Sequence, residues 1–171
     1  HRRPKQINMS ARKELNAALD QADQLFDDGQ VEAAIDLLEP LQDRFGSSAD
    51  LSLILGLSYL QIGEIYEAVS MLERAARSRK DPALKIPLGV AYMNADMFVN
   101  AVLVLTEAQR AHEMLPDDLL ETLHDLRADL REQAEEFQLP VQRAAEGLRA
   151  LEQFKYCMIM ERFPAATKAG R

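Results

Sequence analysis

Leu55-Gly56-Leu57-Ser58-Tyr59 and Leu88-Gly89-Val90-Ala91-Tyr92 are two copies of one pattern, 33 residues apart. The copies stay in register on both sides. Seven residues after each glycine comes a turn position, Gly63 and then Asp96. Five positions on stand Ala68 and Ala101, four further Leu72 and Leu105, and three beyond those Ala75 and Ala108. A third, weaker copy lies upstream as Ala22, Leu25, Gly29, Ala34, Leu38 and Leu41, its turn glycine 34 residues before Gly63. A period of this length marks a repeat of one supersecondary unit, which buries its apolar face only by stacking on its neighbours.

The columns carry their own physical reasons. A side chain as small as Gly56 or Gly89 lets two helices cross closely, and the spacing aims Gly56 toward Ala68 and Gly89 toward Ala101. Gly29 and Gly63 accept the left-handed backbone that ends a helix. Leu55, Tyr59, Leu72, Leu88, Tyr92 and Leu105 then fill the seam, at about 1.5–3 kcal/mol for each large side chain removed from water. Three helix pairs are predicted, at 10–28 with 31–45, 50–62 with 65–79, and 83–95 with 98–114. Gly46-Ser47-Ser48 stops and restarts the chain, and Asp81-Pro82 reads as a cap followed by a first-turn proline. Pro87 falls inside an expected helix and should kink it or delay its start.

Beyond Pro116 the repeat fades. Asp117 or Asp118 is placed to cap a further helix over 118–137, striped by Leu119, Leu123, Leu126, Leu130 and Phe137. It reads as a cap that hides the end of the array from water. A last helix is expected over 141–162. In outline, a basic tail (1–9) precedes three repeats within 10–116 (10–46, 49–80 and 83–115). Capping and C-terminal helices (117–163) and a short tail (164–171) follow. The fold class is all-α.

Composition agrees. With 47% apolar and 28% charged residues and seven each of Gly and Pro in 171 residues, the chain is globular and free to run as helix. The formal charge of −8 is uneven. Residues 15–139 hold nine Lys/Arg against 24 Asp/Glu, whereas both ends are basic. An acidic body repels phosphate backbones, so nucleic acid is not an expected partner. The longest apolar run, Leu51 to Leu60, is too short and too interrupted to cross a membrane. Cys157 is alone, which fits a reducing compartment, and no secretory segment is legible, so a cytoplasmic location is expected. The first residue is His1 rather than Met, in keeping with a fragment or a processed form.

Catalytic chemistry finds no foothold. His112-Glu113 lacks the second histidine of a metalloprotease helix, and His124 stands twelve residues on. Cys157 lies in an apolar stretch beside Tyr156 and Met158, as a buried small residue does. Paired acids such as Asp27-Asp28 and Asp117-Asp118 fall at helix ends, where solvation suffices. No enzyme activity, cofactor or metal is expected.

The pattern Leu-Gly-x-x-Tyr followed by Ala and Leu resembles the tetratricopeptide repeat, over about residues 14–116. The sequence departs from the family's early Trp, reading Ala18, Ser52 and Lys85 there. The resemblance implies a right-handed α-solenoid whose first helices line a concave groove. The positions so implied are Leu19, Asp23 and Phe26, then Leu53, Leu57 and Leu60, then Ile86, Val90, Met93 and Asn94. A subgroup of the family holds a partner's C-terminal carboxylate with Lys, Arg and Asn, which this set does not supply. Aliphatic lining suits instead a protein or peptide segment with apolar anchors, and acidic rims favour flanking Lys or Arg. The implied function is an adaptor, scaffold or chaperone; a secretion chaperone of comparable repeat count is one such form. The alternative is a homo-oligomerising structural module or an interaction domain of a larger protein. There the groove is filled by Leu148, Leu151, Phe154, Met158 and Ile159 of the same or a sister chain.

Overall fold

The computed structural model describes residues 9–136, with side chains through residue 133. Eight α-helices follow one another: α1 Met9–Asp27, α2 Val31–Leu38, α3 Gln42–Phe45, α4 Ala49–Ile62, α5 Ile65–Ser78, α6 Lys85–Asn94, α7 Phe98–Arg110 and α8 Asp117–Glu136. Short 3-10 turns at Glu39–Leu41, Pro82–Leu84 and His112–Met114 link them, and no strand occurs among the described residues. The pairs α1/α2, α4/α5 and α6/α7 stack in order. Helix α4 packs on both helices of the first pair, α6 on α5, and α8 on α6 and α7.

Each first helix ends in the same way. Gly29, Gly63 and Asp96 take positive φ of 76°, 83° and 57°. The next amide reaches back five residues in every copy: Gln30 N–H to the Leu25 carbonyl (2.8 Å), Glu64 to Tyr59 (2.9 Å) and Met97 to Tyr92 (2.8 Å). These bonds satisfy carbonyls that a helix end otherwise leaves open. Aspartate serves at the third turn because its short polar side chain tolerates the left-handed region better than most.

Where the helices depart from expectation, proline is the usual cause. The second helix of repeat one does not run unbroken to residue 45. Pro40 has no N–H to give, so α2 stops at Leu38, a 3-10 turn carries the proline, and α3 resumes to bury Phe45. In repeat three, Asp81 caps as expected, its carboxylate accepting from the Ala83 N–H at 3.0 Å. The α-helical part begins only at Lys85, which puts Pro87 in the first turn, where its missing donor costs nothing. Asp117 and Asp118 are not caps. They occupy the first turn of α8, while the Leu120 N–H bonds to the Pro116 carbonyl at 3.0 Å. There they favour the positive end of the helix dipole.

Two cores share the stack. The first joins repeats one and two through Leu15, Ala22, Leu38, Leu51, Leu55 and Tyr59, and the second joins repeats two and three to α8 through Leu72, Leu88, Tyr92, Leu105 and Leu123. Leu60 packs against both. The closest approach at Gly56 and at Gly89 is made by leucine, where the spacing pointed to alanine. A Cβ on Gly56 would lie 2.6 Å from Leu72 Cγ, and one on Gly89 2.4 Å from Leu105 Cδ2. Helix α8 buries Leu123 and Leu130 and turns Glu121, Asp125, Asp129 and Glu132 outward.

Polar contacts also recur from repeat to repeat. Within each repeat the start of the first helix is tied to the second helix or the residue after it: Glu14 to Arg44 (2.7 and 2.8 Å), Asp50 to Arg79 (2.9 Å), and Glu107 to Lys85 with the charges exchanged. The Glu14 carboxyl is held below its ordinary value by the hydrogen bond from Arg44. These pairs are solvent-screened and fix register more than they stabilise. Between repeats, Tyr59 donates to Glu39, and Tyr92 donates to Glu73 at 2.6 Å. Glu39, Glu73 and Glu107 form a column of their own, 34 residues apart.

Burial, reinforced by the facing carboxylates, pushes both tyrosine hydroxyls well above their ordinary pKa. A group whose folded pKa is raised stabilises fully below its unfolded value, here about 10, and loses that contribution as the pH climbs toward the folded value. Urea denaturation between pH 8 and 11 should therefore show stability falling above about pH 10. Tyr59→Phe and Tyr92→Phe should each cost about 1 kcal/mol at pH 8 and flatten the alkaline limb. An unchanged limb in the double variant would place the alkaline sensitivity elsewhere.

Candidate partner-binding groove

The candidate groove residues sit on one face of each first helix, repeated in register. Leu19, Leu53 and Ile86 form one column, Asp23, Leu57 and Val90 a second, and Phe26, Leu60 and Met93 a third. Steps of four and three residues keep them on one helix face. Their environments differ. Leu19 and Phe26 are half-buried against the first core, Leu53 and Met93 against the second, and Leu60 against both. Asp23 and Asn94 are exposed, and the Asn94 amide turns back to the Val90 carbonyl at 2.9 Å.

Leu57 and Val90 stand apart. Both are half-buried yet belong to neither core. Ile86 corrects the expected lining, because it is 3% exposed and lies within the second core. That core also takes Leu123 and Leu130 from α8, which packs on α6, so the repeat-three end of this face has no open position at Ile86. The self-contact residues Leu148, Leu151, Phe154, Met158 and Ile159 lie outside the described residues, as does Cys157.

A feature that sequence reading missed lies away from this face. Glu32, Ile35, Asp36, Glu39, Tyr59, Ile62, Glu64 and Glu67 line an open hollow of about 370 Å³ between α2 and the α4–α5 turn. Five of these eight are carboxylates. At the next junction the same register positions are Tyr66, Val69, Ser70, Glu73, Tyr92, Ala95, Met97 and Asn100, with a single acid. The repeat alignment, had it been extended to surface positions, carried that contrast. Ile62 (38%) and Tyr66 (75%), at the same turn, are among the exposed large apolar residues, as is Met114.

Among the described residues no three His, Cys, Asp or Glu side chains converge as a metal site, and no helix is long and apolar enough to cross a membrane. His112 lies with Nδ1 3.1 Å from the Gln109 carbonyl, and His124 is exposed.

No family model matches the chain. A 78-residue stretch, 45% of this chain, is 40% identical to part of the rhomboid protease GluP of Bacillus subtilis (strain 168), and spans only 15% of that protein. Among solved structures, the Sgt2 TPR domain from Aspergillus fumigatus superposes with a TM-score of 0.61 at 14% identity, covering 71% of this chain and 82% of that one. A mutant of MamA does so at 0.58 and 25% identity, over 77% and 75% of the two chains. The Yersinia enterocolitica type III secretion chaperone SycD, in complex with a peptide of the translocator YopD, gives 0.56 and 16% identity, over 85% of this chain and 99% of that one. Period, turn geometry and architecture agree: this chain is a tetratricopeptide-like helical repeat protein, a right-handed α-solenoid of stacked helix pairs.

Proposed function

We propose that the protein is an interaction module, an adaptor, scaffold or chaperone that holds an apolar segment of a partner protein along the first helices of its repeats. The observation that carries this reading is the pair Leu57 and Val90. They are equivalent positions of successive repeats, both aliphatic, both partly open to water, and neither contributes to a core. A helix face that met only solvent would be polar there. Leu53, Leu60 and Met93 flank them, and methionine lets such a surface adapt to its guest. SycD, of the same architecture, was solved holding a peptide, which supports a groove of this kind here. With Ile86 withdrawn into the core, the apolar anchoring falls on repeat two and the near half of repeat three.

The test replaces Leu57 and Val90 together with Glu. Circular dichroism should stay within a few per cent of the parent helicity, since neither side chain fills a core. Capture of partner proteins, identified by mass spectrometry after a photo-crosslinker is placed at Leu53, should fall at least ten-fold. Unchanged capture would move the site off this face.

A further inference from the structure

We infer that the groove is polarised along its length and takes a partner segment with apolar anchors at one end and a cluster of Lys or Arg at the other, the basic end lying over α1. The inference rests on the groove reading and adds direction to it. In the column of Leu57 and Val90, repeat one places Asp23. One residue after Leu19, Leu53 and Ile86 come Asp20, Ile54 and Pro87, and one residue after Phe26, Leu60 and Met93 come Asp27, Gln61 and Asn94. In all three rows the acid is confined to repeat one, and the other repeats are uncharged.

Asp20, Asp23 and Asp27 follow steps of three and four, so one face of α1 presents all three. All are exposed, and none makes an ion pair with another described residue. The contrast with Glu14, Asp50, Glu73 and Glu107 is direct, for each of those is paired with a cation of the fold. Three like charges on one face repel one another, and a cationic guest relieves that repulsion. The apolar and acidic stretches are continuous. Phe26 and Leu19 flank Asp23 on the same helix, and α1 packs directly on α4.

Spacing follows from packing. Packed helices lie roughly 8–10 Å apart, and α1 packs on α4, so an extended guest at about 3.3 Å per residue passes from repeat two to repeat one in about three residues. The guest's chemistry is therefore apolar anchors followed, about three residues beyond the last of them, by a cluster of Lys or Arg.

Two fluorescein-labelled synthetic peptides test this on the full chain by fluorescence anisotropy. Both carry leucines at three-residue spacing; one ends in three lysines and the other in three glutamates. At low salt the lysine peptide should bind at least ten-fold tighter, and the gap should shrink as salt screens the charges. Asp23→Lys with Asp27→Lys should reverse the order. A nitroxide on the lysine end should broaden amide signals of α1 and leave those of α6 sharp. Equal binding of both peptides, lost on Leu57→Glu, would overturn the polarity and leave the groove standing. Binding of neither peptide would overturn the polarity and the groove together. Binding that emerges only when Phe154→Asp and Met158→Asp are introduced would show the face to be covered by the chain's own C-terminal segment, and would overturn the inference. A mass that doubles with concentration while peptide binding fades would assign the face to a second copy, with the same result.

Discussion

Gly56→Val should destabilise the protein by about 3 kcal/mol, at the upper end of what overpacking a core costs. The first added carbon would already lie 2.6 Å from Leu72 Cγ and 2.8 Å from Leu72 Cδ2, and Leu72 is 1% exposed, with no solvent to retreat into. Its backbone nitrogen, 3.3 Å from the same point, belongs to α5 and moves only if the whole pair opens. Repeat one sets the scale for a smaller insult. Ala22 occupies the equivalent position, fully buried, above an equally buried Leu38. A Cβ is thus tolerated when a pair is built around it; at Gly56 it is not, and Gly56→Ala should itself cost about 1–2 kcal/mol, with helix propensity offsetting part of the strain. Valine adds two further carbons where the pair was built around none. Urea denaturation measures the difference, and a double-mutant cycle assigns it. With Leu72→Ala present, Gly56→Val should cost at least 1 kcal/mol less than it does alone. Strict additivity would mean that the strain arises somewhere other than against Leu72.

The same glycine shows why much of this fold was legible before any coordinates. A position where backbones nearly touch, or where φ must be positive, admits few residue types, so its column persists even where the surrounding sequence drifts. Gly56, Gly89, Gly29 and Gly63 are such positions. Asp96 kept the turn without glycine, and the period still identified it. What escaped depends on contacts that the period does not encode. Pro40 breaks the second helix of repeat one, but the chain regains the same direction in α3, so the hydrophobic pattern runs on as if unbroken. Ile86 has the register of a groove residue and the burial of a core residue, in a core to which α8, which lies outside the repeat, also contributes. The acidic hollow gathers side chains from α2, α4, the turn after it and α5, each of which alone reads as an ordinary solvated acid. The Tyr–Glu bonds were within reach, since Glu39, Glu73 and Glu107 recur with the period. A charged residue on a helix is so commonly only a surface that the recurrence alone does not mark them.

Leu55→Ala and Leu57→Ala, two residues apart in α4, should separate the stability of this fold from its recognition. Leu55 is fully buried in the first core. Truncating it removes three carbons from a packed seam and leaves a cavity that neighbouring helices only partly close, at a cost of about 3–5 kcal/mol. Two neighbouring repeats share that seam, so the loss should appear as a lower denaturation midpoint for the described repeats as one unit. Leu57 belongs to neither core and already meets water, so its truncation should cost under about 1 kcal/mol. Partner binding should invert the order. Leu57→Ala should weaken it several-fold at temperatures where the fold is intact, whereas Leu55→Ala should weaken it only in proportion to the unfolded fraction. The groove reading needs the two effects to part company at neighbouring positions of one helix. If Leu57→Ala proved as destabilising as Leu55→Ala, the face assigned to a guest would be part of the protein's own packing.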